Sequence, residues 1–242
     1  MASKRAHKII TTVVFDLDDT LFDTYQQRVL RAHARACRAL RAAGVRVPFG
    51  RLLRERLRIF RATRDLETLD RHLLAHLGMR GRRGARLARI GRDAYFSLPV
   101  GRLKLFPEAR PTLRRLHQCG VRIFIVTAGR RAIQRAKVQA LGLDRSPTIE
   151  RIFFANIPTG QSGKERELRR VLRWEREAGR ILVVGDRPNR EIQAANRLGM
   201  VSVRRVGGEF ADSRPSSRRE RARFTIRRLS EIFRLGLRFG RG

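Results

Sequence analysis

The sequence predicts an α/β fold, a doubly wound parallel sheet interrupted by an all-helical insert. Three observations predict it. Thr11 to Phe15 are all β-branched or aromatic and run into Asp16, Asp18 and Asp19, the pattern of a buried parallel strand whose end opens on a crevice. From Gly101 onward, short apolar runs alternate with segments of helical periodicity. Between these parts, residues 22–100 keep helical spacing with no strand signal.

Taken in order, residues 1–8 form a basic start ahead of the first strand. Tyr25, Val29, Leu30, Ala34, Cys37 and Leu40 mark a helix over Asp23–Ala43, with Gly44 placed to end it. Helices are expected over Leu52–Ala62, Leu66–Leu77 and Ala85–Phe96, punctuated by Gly78, Gly81 and Gly84. A helix from Pro107 to Leu116 then leads to a strand over Val121–Val126 that ends in Thr127-Ala128-Gly129. There follow a helix over Arg130–Leu141, a strand over Ile149–Phe154 and a helix over Lys164–Ala178. The next strand, Ile181–Val184, ends in Gly185-Asp186; a helix over Pro188–Leu198 and a strand over Val201–Val203 complete the core. Residues 207–223 read as a loop and Ile226–Leu235 as a terminal helix. Residues 1–21 and 101–242 should thus build the sheet, and 22–100 the insert. Right-handed crossovers then make the sheet parallel.

The chain has 242 residues, 42% of them hydrophobic, enough for a substantial interior. No apolar run approaches the roughly 20 residues that cross a bilayer. The run from Ile9 to Phe15 is stopped by Asp16 and is neither a signal peptide nor an anchor, so a cytoplasmic protein with no membrane partner is expected. Cys37 and Cys119, far apart in apolar-periodic contexts, suggest two reduced, buried thiols. The net charge of +34 is carried overwhelmingly by Arg, Lys occurring only at positions 4, 8, 104, 137 and 164. Such an excess fits a nucleic-acid or other polyanion partner, or an Arg-biased composition, because the Arg residues are spread over every segment.

The informative polar residues are those at predicted strand ends: Asp16 and Asp18, Thr127 and Asp186, with Lys164 opening a helix after a long loop. Carboxylates brought together need a cation or a shared proton. The set suits Mg²⁺ with a phosphate: Asp16 and Asp186 offer hard oxygen ligands, and Thr127 can hold phosphoryl oxygens. Asp16 can attack phosphorus with Lys164 screening the repulsion, and Asp18 can give and then take a proton.

Phe15-Asp16-Leu17-Asp18-Asp19-Thr20-Leu21 resembles the Asp-x-Asp-x-Thr motif of the haloacid dehalogenase-like hydrolase superfamily. Val126-Thr127-Ala128-Gly129 is similar to its second motif, Lys164 to its third, and Gly185-Asp186 through Glu191 to its fourth. The four occur in order, and the resemblance runs over about residues 9–235. The resemblance implies a Rossmann-like core carrying a helical cap, as in the subfamily that includes phosphoglycolate phosphatases, the cap closing over a small substrate. It implies that Asp16 is the nucleophile, Asp18 the acid and base, Thr127 with Ala128 the phosphate-binding turn, and Lys164 an electrostatic stabiliser. It further implies that Asp16, Asp18 through its carbonyl, Asp186 and Glu191 surround the metal. Dehalogenases of this superfamily usually carry Tyr at the position of Asp18, so phosphate chemistry is the better branch. Two departures stand out: Glu191 where Asp is commoner, suggesting a less direct metal contact, and Asp19 where Gly is frequent, suggesting a cap.

The expected function is therefore Mg²⁺-dependent hydrolysis of a small phosphomonoester. The alternatives are a phosphotransferase or mutase on the same core, and a polyanion-binding protein on a retained scaffold. Lys137 competes with Lys164 for the phosphate-site role. Gly160-Gln161-Ser162-Gly163-Lys164-Glu165 fails as a nucleotide-binding loop, since Pro158 stands where its first Gly belongs and Glu165 replaces the Ser or Thr. His72 and His76 lack a third ligand for zinc, and Trp174 reads as the buried face of its helix with Leu168, Val171 and Leu172. The substrate, and the choice between monomer and homodimer, stay open.

Overall fold

The computed structural model describes residues 9–155 and 163–241. Residues 1–8, residues 156–162, which include Gly160-Gln161-Ser162 of the segment weighed as a nucleotide-binding loop, and Gly242 lie outside them. The chain begins with β1 (Ile9–Ile10) and β2 (Thr12–Phe15), followed by a π-helical turn (Tyr25–Val29) that leads into α1 (Leu30–Ala42). Then come α2 (Phe49–Thr63), α3 (Leu69–His76), α4 (Gly81–Phe96), α5 (Ala109–Gln118), β3 (Arg122–Ala128), α6 (Arg131–Ala140) and β4 (Arg151–Ala155). After α7 (Lys164–Glu175) and β5 (Ile181–Gly185), a π-helical turn (Pro188–Ile192) precedes α8 (Gln193–Arg197). The chain ends with β6 (Val201–Arg205), β7 (Phe224–Ile226), a 3₁₀ segment (Leu229–Arg234) and β8 (Arg238–Phe239). Two compact units result, Met1–Thr24 with Val100–Gly242, and Tyr25–Pro99. No helix among the described residues is long and apolar enough to cross a membrane.

In the first unit six parallel strands are ordered β4-β3-β2-β5-β6-β7. The chain moves outward from β2 through β3 and β4, then returns to the other side of β2 as β5. The reversal therefore falls at β2, and such sheets bind ligands beyond the carboxyl ends of the strands at the reversal. The period-2 alternation along each strand feeds two apolar layers. Val13, Phe15, Ile123, Ile125, Leu182 and Val184 pack with Ala109, Leu113 and Leu116 of α5 and with Leu229 and Ile232. On the opposite face Val14, Phe124, Val126, Ile181 and Val183 meet Leu168 and Val171 of α7 and Ala194 and Ala195 of α8. Each such Val, Leu or Ile contributes about 1.5–3 kcal/mol relative to an exposed position. The connection leaving β2 is pinched at its base: Phe22 pairs antiparallel with Leu105, and the Phe106 N–H donates to the Leu21 carbonyl at 2.9 Å.

Several expectations change. Trp174 is 43% exposed, because Leu168 and Val171 fill the buried stripe of α7 first. Its ring covers Phe124 and Phe153 at 5.7 and 5.8 Å between centroids, with the Arg151 guanidinium 5.0 Å from its own. Cys37 is buried, which pushes its thiol up to about 11, whereas Cys119 follows the last turn of α5 and is exposed. Gly81 and Gly84 do not break the chain: α4 begins at Gly81, and at Gly84 a Cβ would lie 2.5 Å from the Met79 carbonyl oxygen. The terminal α-helix is replaced by β7, the 3₁₀ segment and β8, which pairs in parallel with β1. Ile226, Leu229, Ile232 and Leu235 recur every three residues, a spacing that suits 3₁₀ geometry better than α. The single helix expected over Pro188–Leu198 is a π-helical turn followed by α8.

The helical unit packs α1 to α4 around Cys37, Leu40, Leu52, Phe60, Leu69, Leu73 and Leu87. Buried among them, Arg56 donates from Nε and Nη2 to the two oxygens of Asp70, at 2.9 Å each, and from Nη1 to His33 Nδ1. The Tyr95 ring lies 5.2 Å from the guanidinium carbon, and Gly91 leaves room for Asp70, whose Cγ a Cβ there would approach to 2.8 Å. At the ends of the unit Arg28 donates to the carbonyls of Leu98 and Pro99 at 3.2 and 3.0 Å. Removing one member of a buried ion pair strands the other charge. Arg56→Met should therefore cost about 3–5 kcal/mol in urea unfolding, and Arg56→Met/Asp70→Leu much less. Burial, helped by the Arg56 charge, pushes His33 from 6.5 down to about 3. Between those values the unfolded chain binds a proton here that the folded chain does not, so stability falls as pH is lowered through that window. In urea titrations at several pH values, His33→Gln should show a shallower loss than wild type.

Candidate active site

The central strand delivers the first carboxylates. Asp16 follows Phe15 at the end of β2, its N–H donating to the Val184 carbonyl of β5 at 2.8 Å. Because β2 and β5 are neighbours in register, Asp186, just beyond β5, comes beside it. The π-helical turn after Asp186 brings in Glu191 as the third: one oxygen from each of Asp16, Asp186 and Glu191 lies within 4.8 Å of the others. All three are buried. Lys164, buried at the start of α7, places its ammonium 2.6 Å from Asp16 Oδ1 and 2.9 Å from Glu191 Oε2. Glu191 Oε1 accepts the Arg187 N–H at 2.6 Å. The longer Glu is accommodated by a missing side chain, since a Cβ on Gly185 would lie 2.1 Å from Glu191 Cγ.

Asp18 stands in a second network. Its Oδ1 accepts from the Lys137 ammonium at 2.7 Å and from Thr24 Oγ1 at 2.8 Å, and its Oδ2 from Gln134 Nε2 at 2.7 Å. Gln134 Nε2 also lies 2.5 Å from Thr127 Oγ1 and 3.2 Å from the Ala128 carbonyl, at the end of β3. Asp19 takes a positive φ of 52° and turns away: its Oδ2 accepts the Glu209 N–H at 2.9 Å and its carbonyl accepts from Arg205 at 2.7 Å.

Burial raises Asp16 to about 6, Lys164 pulling it down while Glu191 and Asp18 push it up. Burial, then Glu191 and Asp16, hold Asp186 well above the usual carboxylate range. For Glu191 burial is outweighed by the charge and hydrogen bond of Lys164 and by backbone N–H groups, and the carboxyl is lowered. For Asp18 burial is outweighed by Lys137, Gln134 and Thr24. Lys164 is raised, the two carboxylates overcoming its desolvation. Three buried carboxylates against one ammonium leave an excess of negative charge surrounded by hard oxygen donors, a set that fits a divalent cation.

Of the residues singled out from sequence, Asp16, Lys164, Asp186 and Glu191 meet in the first network, and Asp18, Thr127 and Ala128 in the second. Glu191 reaches the cluster directly. Lys137 pairs with Asp18, and Lys164 with Asp16 and Glu191. Gln134 went unnoticed, although its spacing of three from Lys137 puts both on one face of α6. Gly185→Ala must displace Glu191, and denaturant unfolding should register an overpacking cost of about 1–3 kcal/mol.

Comparison with known proteins places this arrangement. A glyceraldehyde 3-phosphate phosphatase of Methanopyrus kandleri is 28% identical over 242 residues, covering 93% of this chain and 96% of that one. A protein of the same name from Methanocaldococcus jannaschii is 25% identical over 235 residues, with 93% and 96% covered. Among solved structures, the HAD hydrolase YfnB of Bacillus subtilis, bound to magnesium, superposes with a TM-score of 0.62 at 22% identity, covering 94% of this chain and 99% of that one. The family model of the haloacid dehalogenase-like hydrolases matches residues 10–199, the span holding both networks, and the chain belongs to that family.

Proposed function

We propose that the protein is a Mg²⁺-dependent phosphatase that hydrolyses a small phosphorylated metabolite through a phosphorylated Asp16. The observation that carries this reading is the cluster of Asp16, Asp186 and Glu191 around the Lys164 ammonium at the reversal of the sheet, beside a second, separately held carboxylate, Asp18. The side chains of Asp16, Asp186 and Glu191, with the carbonyl of Asp18, would hold the metal. When bound, it supplies positive charge against the phosphoryl oxygens and the carboxylates. Thr127 and the turn through Ala128 hold the phosphoryl group, and Lys164 keeps Asp16 ionised and aimed.

In the first step an Asp16 oxygen bonds to phosphorus as the ester P–O bond breaks. The electron pair goes to the leaving oxygen, which takes a proton from Asp18. In the second, water attacks the same phosphorus, loses a proton to Asp18, and the Asp16–phosphorus bond breaks to restore the carboxylate. Dehalogenation is disfavoured by the carboxylate at position 18. Both full-length relatives are named for glyceraldehyde 3-phosphate, which makes a triose phosphate the first substrate to test.

Phosphate release is to be measured on glyceraldehyde 3-phosphate, phosphoglycolate, sugar phosphates, nucleotides and an aryl phosphate, with Mg²⁺ or EDTA. Turnover should require Mg²⁺ and fall at least about 10³-fold in Asp16→Asn, as for removal of a covalent nucleophile. A folded wild type that releases phosphate from none of them overturns the reading.

A further inference from the structure

Asp18 is held more elaborately than a buried carboxylate needs for charge compensation. One ammonium would suffice, yet both oxygens are engaged, Oδ1 by Lys137 and Thr24 and Oδ2 by Gln134. Lys137 and Gln134 are themselves buried, at 7% and 3% exposure, and burying an ammonium and an amide is costly unless each is paired. Asp18 is the only carboxylate among the described residues with which Lys137 forms an ion pair. Gln134 is fixed in turn by Thr127 Oγ1 and the Ala128 carbonyl. Gly129 makes this possible: it adopts a φ of 150°, and a Cβ there would sit 3.3 Å from Gln134 Cγ and Cδ. The acid-base carboxylate and the phosphate-holding hydroxyl are therefore tied through one amide to one helix.

Every observed side-chain partner of Asp18 donates to it. That is the arrangement of an ionised carboxylate held ready to accept a proton, the task of Asp18 in the second step and not in the first. We infer that Lys137 and Gln134 are positioning residues for hydrolysis of the phosphorylated enzyme, holding Asp18 where it deprotonates the attacking water. This rests on the reading of Asp16 as the nucleophile. In the step concerned, the water oxygen bonds to phosphorus, one water proton passes to an Asp18 oxygen, and the Asp16–phosphorus bond breaks with its electron pair returning to Asp16. Water is a poor nucleophile without that proton transfer, whereas a nitrophenolate leaves phosphorus with little help from an acid.

The probe is p-nitrophenyl phosphate with the Mg²⁺-loaded protein, comparing wild type, Lys137→Met, Gln134→Met and Lys137→Arg. Nitrophenol and phosphate are followed separately after rapid mixing, and phosphorylated Asp16 is read by the mass of the acid-quenched protein. In the two Met variants phosphate release should slow about tenfold or more, with a nitrophenol burst and a phosphorylated fraction larger than in wild type. kcat and KM should fall together, leaving kcat/KM within about twofold, because that ratio reports only the steps up to phosphorylation. Lys137→Arg, which keeps a charged donor, should recover much of the rate. Thermal midpoints are read alongside, and Gln134→Met tests the inference if Lys137→Met does not fold. A fall in kcat/KM equal to that in kcat, with no phosphorylated enzyme, overturns it, as does an unchanged rate. A wild type with no Mg²⁺-dependent turnover removes the reading of Asp16 as well, and so is distinct from either result.

Discussion

Much of the sheet-bearing unit answers to one constraint, the mutual repulsion of Asp16, Asp186 and Glu191, all three of them buried. Lys164 relieves part of it from within 3 Å of two of them. An ammonium does this better than a guanidinium, being compact and able to point at two oxygens from distant segments of the chain. The surroundings follow. β2 and β5 must be neighbours for two of the acids to meet, α7 must begin where its first residue points inward, and Gly185 must lack a side chain for Glu191 to enter. The π-helical turn after β5 belongs to the same set, because it carries Glu191 into the cluster.

The two carboxylates of the Asp-x-Asp pair, one residue apart, end in different environments. Asp16 is raised by burial and shares its cation with Glu191, whereas Asp18 is lowered by an ammonium and two neutral donors. Groups of the same type with pKa values pushed in opposite directions are how one site divides roles between chemically identical side chains. The division is made by helices on opposite faces of the sheet, α7 supplying Lys164 and α6 supplying Lys137.

The fold was legible wherever a local pattern and its tertiary setting agreed. A buried parallel strand reads as a continuous apolar run, and polar residues at its end have few reasons to be there other than chemistry, so Asp16, Thr127 and Asp186 stood out. Legibility failed where the deciding contact was remote. Gln134 looks like any helix-surface amide until β3 and β2 lie beside it. Trp174 satisfies the apolar stripe of α7 by spacing, but nothing local reveals that the stripe is filled before the last turn. The end of the chain departs from the expected helix because its apolar residues repeat every three positions, and because two-residue strands such as β1 and β8 exist only by pairing with each other. The placement of Glu191 depended on an absent atom, the Cβ of Gly185, which no periodicity records.

The pinch at Phe22 and Leu105 has a consequence for how such a chain can diversify. The excursion of the chain beyond it starts and finishes at a single bridged point, with the Phe106 N–H on the Leu21 carbonyl fixing the exit. The entropy of closing a loop rises only logarithmically with its length. A longer, shorter or differently folded segment can thus be spliced in beyond the pinch while β2 and its neighbours keep their register. The helical unit is in that sense a replaceable cassette, and both carboxylate networks lie on the part of the chain that the exchange leaves alone.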